Sequence, residues 1–112
     1  MKSDDQRTEN YDVEIVRDMS TRVAIAETWR KGITLHREGG PAHVRRDATT
    51  GTVIEEGWWI DGHLQREDGP AYLRRKADTG RVCFSEWFRN GIKIAPPRPV
   101  GKTGRRNDAP AP

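Results

Sequence analysis

Three things are scarce in this 112-residue chain: cysteine, apolar residues and uninterrupted hydrophobic runs. Cys83 stands alone, so no intramolecular disulfide can form, and such usage fits a reducing, cytoplasmic compartment. No apolar stretch approaches the ~18 residues of a membrane-spanning helix. The opening Met1–Asn10 is polar rather than a secretory leader, so no membrane role is expected. The apolar fraction is 33%, against roughly 45–50% in ordinary globular domains. A chain of this size and composition makes one domain with a thin core, which leaves a thick sandwich or closed barrel unfilled. Four Trp, two Tyr and two Phe must carry much of the burial. No segment holds a 3.6-residue apolar period long enough to argue a helix.

Charge is plentiful but localised. The formal net charge is +3 and the pI about 9.4, which suggests a nucleic-acid partner. Yet Arg98, Lys102, Arg105 and Arg106 oppose only Asp108 in a Pro- and Gly-containing tail, whereas residues 11–97 are close to neutral. The composition predicts a disordered N-terminus over 1–10 and a disordered basic tail over 98–112, flanking a folded region over 11–97.

Within that region the chain repeats itself. The segment beginning at His36 aligns without a gap on the one beginning at Gln65, at an offset of 29. Arg37/Arg66, Gly40/Gly69, Pro41/Pro70, Ala42/Ala71, Arg45/Arg74, Arg46/Arg75, Gly51/Gly80 and Val53/Val82 are among the identical pairs. A second register joins Trp29 and Gly32 to Trp59 and Gly62, and these to Phe88 and Gly91. It leaves one extra residue between Gly32 and Pro41, which predicts a bulge or longer turn in the first copy. Units of about 11–32, 33–62 and 63–95 follow. The first is a degenerate opening half-unit with Arg22 and Val23 in the place of Arg81 and Val82.

Each unit reads as strand, turn, strand, turn. Short strands over Ala42–Asp47 and Ala71–Lys76 lead through Gly-ended loops into return strands over Thr52–Ile60 and Arg81–Arg89, rich in β-branched and aromatic residues. Gly32, Gly62 and Gly91 mark tight turns. Neither face of the return strands is cleanly apolar, so a sandwich is not expected. The pattern predicts an all-β, elongated antiparallel meander of tandem hairpin repeats. It is a thin or single-layer sheet of about six main strands, each unit buried mainly by its neighbours.

Trp59, Gly62, Arg66, Asp68, Gly69, Pro70 and Ala71 stand in a spacing that resembles the W-[YF]-x-[DN]-G-x-x-H-R-x-D-G-P-A repeat of MORN-like proteins, found in tandem in phage, giant-virus and bacterial proteins. The resemblance covers roughly residues 29–91. Copy one keeps His36 but has Gly39 for the acid; copy two keeps Asp68 but has Gln65 for the histidine. The resemblance implies hairpins in a row and a binding or scaffolding role.

No enzyme is expected. A catalytic histidine would not survive duplication as glutamine, and Arg37 and Arg66 are more simply paired with local carboxylates. His36, His43, His63 and Cys83 lack metal-ligand spacing, so neither metal nor cofactor is expected. Cys83, opposite Ile54 in the repeat, reads as a small apolar residue. Exposed aromatics beside arginine are what interaction surfaces use. The expected function is therefore a non-catalytic module docking a protein partner through its repeat face. Its candidate contacts are Trp58, Trp59, Trp87, Phe88, Arg37, Arg45, Arg66 and Arg74. A phage or mobile-element inhibitor of a host defence complex is one specific form. The alternative is nucleic-acid binding through Arg46, Arg75, Lys76, Arg105 and Arg106, although Glu55, Glu56 and Glu86 stand ready to pair such arginines across the ladder. An open meander also leaves edges, and a homodimer through an edge strand is expected.

Overall fold

A computed structural model describes residues 6–97, and no helix occurs among them. The strands in chain order are β1 (Asp12–Arg17), β2 (Ala24–Lys31), β3 (Thr34–Leu35), β4 (His43–Arg46), β5 (Val53–Gly57), β6 (Trp59–Ile60), β7 (His63–Leu64), β8 (Tyr72–Arg75), β9 (Val82–Arg89) and β10 (Ile92–Ile94). The main sheet runs β1-β2-β4-β5-β8-β9-β10, antiparallel throughout; β3 joins β2, and β6 pairs only with β7. The protein is an all-β antiparallel meander of hairpins. Ten strands rather than about six arise because each tight turn closes on a short ladder of its own. The second return strand also divides at Trp58, whereas β2 runs on past Trp29 because β1 pairs beside it.

The repeat is written into the backbone three times, always at an offset of 29. Asp18, Asp47 and Lys76 each donate N–H to the residue five places on (Val23, Thr52, Arg81) at 2.9 Å. Arg22, Gly51 and Gly80 close the same loops with positive φ of 70°, 80° and 77°. The strand before each loop shifts register at Val16/Arg17, Arg45/Arg46 and Arg74/Arg75. The presumed opening half-unit is therefore a full hairpin, β1 being the counterpart of β4 and β8. Arg22 corresponds to Gly51 and Gly80, not to Arg81.

The tight turns correct a second expectation. Arg30 faces Leu35 and Trp59 faces Leu64, so both hairpins have two-residue turns and no residue is inserted. What differs is the turn chemistry. Gly32 alone is left-handed in the first (φ 66°), as a type II′ turn requires, whereas Asp61 and Gly62 are both left-handed (50° and 80°), as type I′ requires. The glycine has moved one place within the turn, which imitates an insertion. Trp29 thus corresponds to Trp58 and Trp87, and Trp59 to Arg30 and Phe88.

The core is as thin as the composition demands. Ala42 (0% exposed), Val44 (4%), Ala71 (0%) and Leu73 (3%) are its buried apolar residues, and no large side chain among the described residues is fully enclosed. Of residues 6–10, expected to be disordered, all but Glu9 are exposed; Glu9 accepts from the Tyr11 hydroxyl at 3.0 Å, and Arg7 reaches Glu38 of the second unit at 3.4 Å. The expected disorder of 1–5 and of the basic tail falls outside the described residues.

Candidate functional site

Strand alternation sorts the long side chains onto two faces. On the first, Glu27 and Trp29 of β2 point the same way, and the indole N–H of Trp29 donates to Glu27 Oε2 at 2.7 Å. The Arg37 guanidinium lies 3.7 Å above the Trp29 ring and donates to Pro41 O at 3.3 Å. Arg46 closes the cluster at 3.4 Å from Glu27 Oε1. The next unit repeats the arrangement. Trp58 donates to Glu56 at 3.2 Å, Arg66 lies 3.8 Å above Trp58 and donates to Pro70 O at 3.2 Å, and Arg75 reaches Glu56 at 3.5 Å. Each cation–π contact contributes about 0.5–2 kcal/mol depending on desolvation. The same packing explains the Gly-Pro pairs, since a Cβ on Gly69 would stand 2.7 Å from Arg66 Cζ. On this arginine face Arg37, Glu38, Trp58, Ile60 and Arg66 line a cleft of about 390 Å³.

The opposite, tyrosine face is polar along the centre. Thr28 Oγ1 and His43 Nδ1 are 3.3 Å apart, Arg45 pairs with Glu55 at 3.5 Å, and the Tyr72 hydroxyl donates to Glu55. Burial, then the Glu55 carboxylate, push the Tyr72 hydroxyl above the usual tyrosine range. Phe84 meets Tyr72 edge-on at 6.1 Å, and Arg74 sits 5.4 Å from the Phe84 ring. Glu86 pairs with Lys93 at 3.1 Å, not with an arginine as expected.

Between units runs a strap. Arg37 N–H donates to Trp59 O at 3.0 Å, and Asp61 N–H donates to His36 Nδ1 at 2.9 Å. Arg66 and Phe88 repeat the first bond, and Asn90 N–H with Gln65 Oε1 the second. Histidine and glutamine are interchangeable here because each offers an acceptor to the next unit's turn. Neutral His36 then carries its proton on Nε2, which is buried without a hydrogen-bond partner among the described residues.

The structure thus divides the residues singled out in the sequence. Trp58, Arg37 and Arg66 come together on the arginine face. Arg45, Arg74, Trp59 and Phe88 lie on the other, where the Trp59 indole covers Gly57 so closely that a Cβ there would stand 2.7 Å from Nε1. Trp87 shares the first face, but Ser85 replaces the glutamate and no guanidinium covers its ring among the described residues. Arg46 and Arg75 are held by glutamates and by the Ala24 and Gly80 carbonyls. Lys76 is exposed at the third loop, and Arg105 and Arg106 lie outside the described residues. Cys83 is exposed rather than packed, on a stretch of β9 that has no strand on its outer side among the described residues. Sequence reading missed Glu27, Trp29 and Glu56 as cluster members. The Glu-x-Trp spacing, two residues apart on one strand face and recurring at 29, was the available signal.

Among the described residues no three or more His, Cys, Asp or Glu side chains gather as metal ligands would, and no helix is long and apolar enough to cross a membrane. Against models of protein families, curated proteins and solved structures, the chain finds no match.

Proposed function

We propose that the protein is a non-catalytic binding module that docks a protein partner on its arginine face. The observation that carries this reading is the cleft between successive straps, where Trp58 and Ile60 form a half-open apolar floor and Arg37 and Arg66 stand as fixed walls. Tryptophan and arginine dominate binding hot spots. Here both are already immobilised by stacking and by bonds to Pro41 and Pro70 carbonyls, so little side-chain entropy remains to be lost on docking. Exposed Glu67 and Asp68 at the rim favour a partner that presents a basic residue beside an apolar one. Nucleic acid fits less well, because Arg46 and Arg75 are engaged by Glu27 and Glu56. The MORN-like resemblance adds the narrower reading, that of a phage or mobile-element inhibitor acting in the cytoplasm on a host defence complex.

The test is capture of a partner from the cells that make the protein, using wild type, Ile60→Lys and Glu67→Lys. Both variants should keep the wild-type unfolding free energy, from urea titration, to within about 1 kcal/mol while losing the captured protein. Retention of the partner by both overturns the docking site. Retention of DNA or RNA that fades steeply with salt favours the nucleic-acid alternative.

A further inference from the structure

The two ends of the sheet are the two halves of a junction the chain already makes twice. In the first junction β4 pairs with β2, Ala26 opposite Arg45, Glu27 opposite Val44 and Thr28 opposite His43. In the second β8 pairs with β5, Glu55 opposite Arg74, Glu56 opposite Leu73 and Gly57 opposite Tyr72. The two registers coincide at the repeat offset of 29. The same offset makes β1 the counterpart of β4 and β8, and makes Phe84–Glu86 of β9 the counterpart of the strand segments that receive them. Among the described residues nothing receives β1 on its outer side and nothing pairs with the first half of β9 opposite β8. We propose that β1 of one copy pairs with β9 of another, head to tail, with Val16 opposite Phe84, Ile15 opposite Ser85 and Glu14 opposite Glu86.

The side chains at these ends are what an uncompleted junction leaves bare. Ile15 holds the position that is 4% exposed as Val44 and 3% as Leu73, yet it is 48% exposed. Val13 matches the fully buried Ala42 and Ala71 but is 41% exposed. At the other end Val82 and Phe84 are 49% and 41% exposed, and among the described residues Trp87 has no guanidinium over it. The proposed register sets exposed Val16 against exposed Phe84 and brings Ile15 and Val13 toward Ser85 and Trp87. Glu14 and Glu86 meet as like charges, but each has its own cation, Arg30 at 3.8 Å and Lys93 at 3.1 Å. Residues 7–10 lie on the track that 95–97 of the preceding copy would follow. They are held by ion pairs from Arg7 and Lys31 and by the Tyr11 hydroxyl on Glu9, few contacts for a paired strand to displace.

Backbone direction agrees. The Glu86 carbonyl accepts Ala71 N–H at 2.9 Å, so Glu86 points to β8 and Ser85 points to the free side. By the same alternation Val44 points to β2, and its counterpart Ile15 points outward from β1. Such an interface is heterologous and does not close on a dimer.

The full-length protein is examined by sedimentation across a concentration series, with Ile15→Pro and Ser85→Pro, each of which removes an outward N–H and no internal hydrogen bond. Wild type should exceed twice the chain mass of 12.8 kDa as concentration rises, and each variant alone should remain a monomer. Their equimolar mixture should form a dimer and stop there, since one supplies a free β9 and the other a free β1. A wild-type monomer at every concentration overturns the proposal. So does a dimer that one of the two substitutions leaves intact, which indicates symmetrical pairing. Should either proline variant lose its β circular dichroism, Val16→Cys and Phe84→Cys, each in a Cys83→Ser background, replace them. Mixed and oxidised, they should give a one-to-one disulfide-linked dimer, and its absence equally overturns the register.

Discussion

Trp58 and Trp87 occupy one position in successive units, yet only Trp58 is clad. Its indole N–H meets Glu56 and its face meets Arg66, which in turn is held by Pro70 O and Asp68. At Trp87 the glutamate is Ser85, and the chain reaches Ala95 where the next arginine would stand. The contrast recurs in the strands: Val44 and Leu73 are sealed, while Ile15 is open. In a sheet one layer thick, a residue's burial is decided by whether another unit adjoins it, before or after, as much as by the residue itself. Stability of such an array resides in the junctions between units as much as in the units.

The strongest way to break that comparison is to truncate one position in both settings. Leu73→Ala should cost about 2–5 kcal/mol, the range for deleting a packed aliphatic side chain. Ile15→Ala should cost about 1 kcal/mol or less, because half of that side chain already meets water. Urea midpoints at dilute, monomeric concentration measure both; equal losses would place stability in the units rather than the junctions. A smaller contrast is expected between Trp58→Ala, at about 2–4 kcal/mol, and Trp87→Ala, about half as much, since only the former frees a stacked guanidinium and a half-buried glutamate.

How much of this was legible follows from the same residues. Hairpins, loops and thinness were readable, because Gly51, Gly80 and the Pro41 and Pro70 pairs are local punctuation. Phase was not. Gly32 and Gly62 sit at different places within equivalent turns, so aligning glycine on glycine slid the first unit by one, and a slip of one exchanges the faces of a strand. Trp29 was thereby matched to Trp59, and the Glu-x-Trp pair that builds each cluster stayed hidden. Backbone positions carried better information than residue type: Arg22 has the φ of Gly51 and Gly80 without their identity. The exposure of Ile15, Phe84 and Cys83 is a property of the array's ends, which no local pattern encodes.

The loops sharpen the comparison by pH. Asp18 accepts N–H bonds from Ser20 and Thr21, and Asp47 from Thr49 and Thr50, and these bonds hold both carboxyls below the usual aspartate value. A lowered folded value means stability fully present above the ordinary 3.8 and lost as pH falls through the lowered one. Lys76 fills the same place in the third loop and offers no carboxylate to the N–H groups there. Asp47→Asn should therefore flatten the acid limb of the stability profile, and Lys76→Asp should steepen it. Urea titrations from neutral pH down to about pH 2 measure the slopes, and unchanged slopes in both variants would show that these turns are not ordered by their carboxylates.

The smallest effect is expected where the units differ most in residue type. His36 is buried and Gln65 is not, yet the acceptor atom of each takes the N–H of the following turn, from Asp61 and Asn90 respectively. If the acceptor is what the position requires, His36→Gln should change stability by less than about 1 kcal/mol. The amide reproduces the bond and relieves the stranded Nε2 proton, which offsets the lost stacking of the imidazole on Tyr11 at 6.0 Å. His36→Leu keeps the volume and removes the acceptor, leaving Asp61 N–H unpaired, and should cost about 1–3 kcal/mol. Amide hydrogen exchange at Asp61 separates the two causes. Protection should persist in the glutamine variant and fall in the leucine variant. If protection instead falls equally in both, the ring's packing against Tyr11, rather than its acceptor, secures the strap.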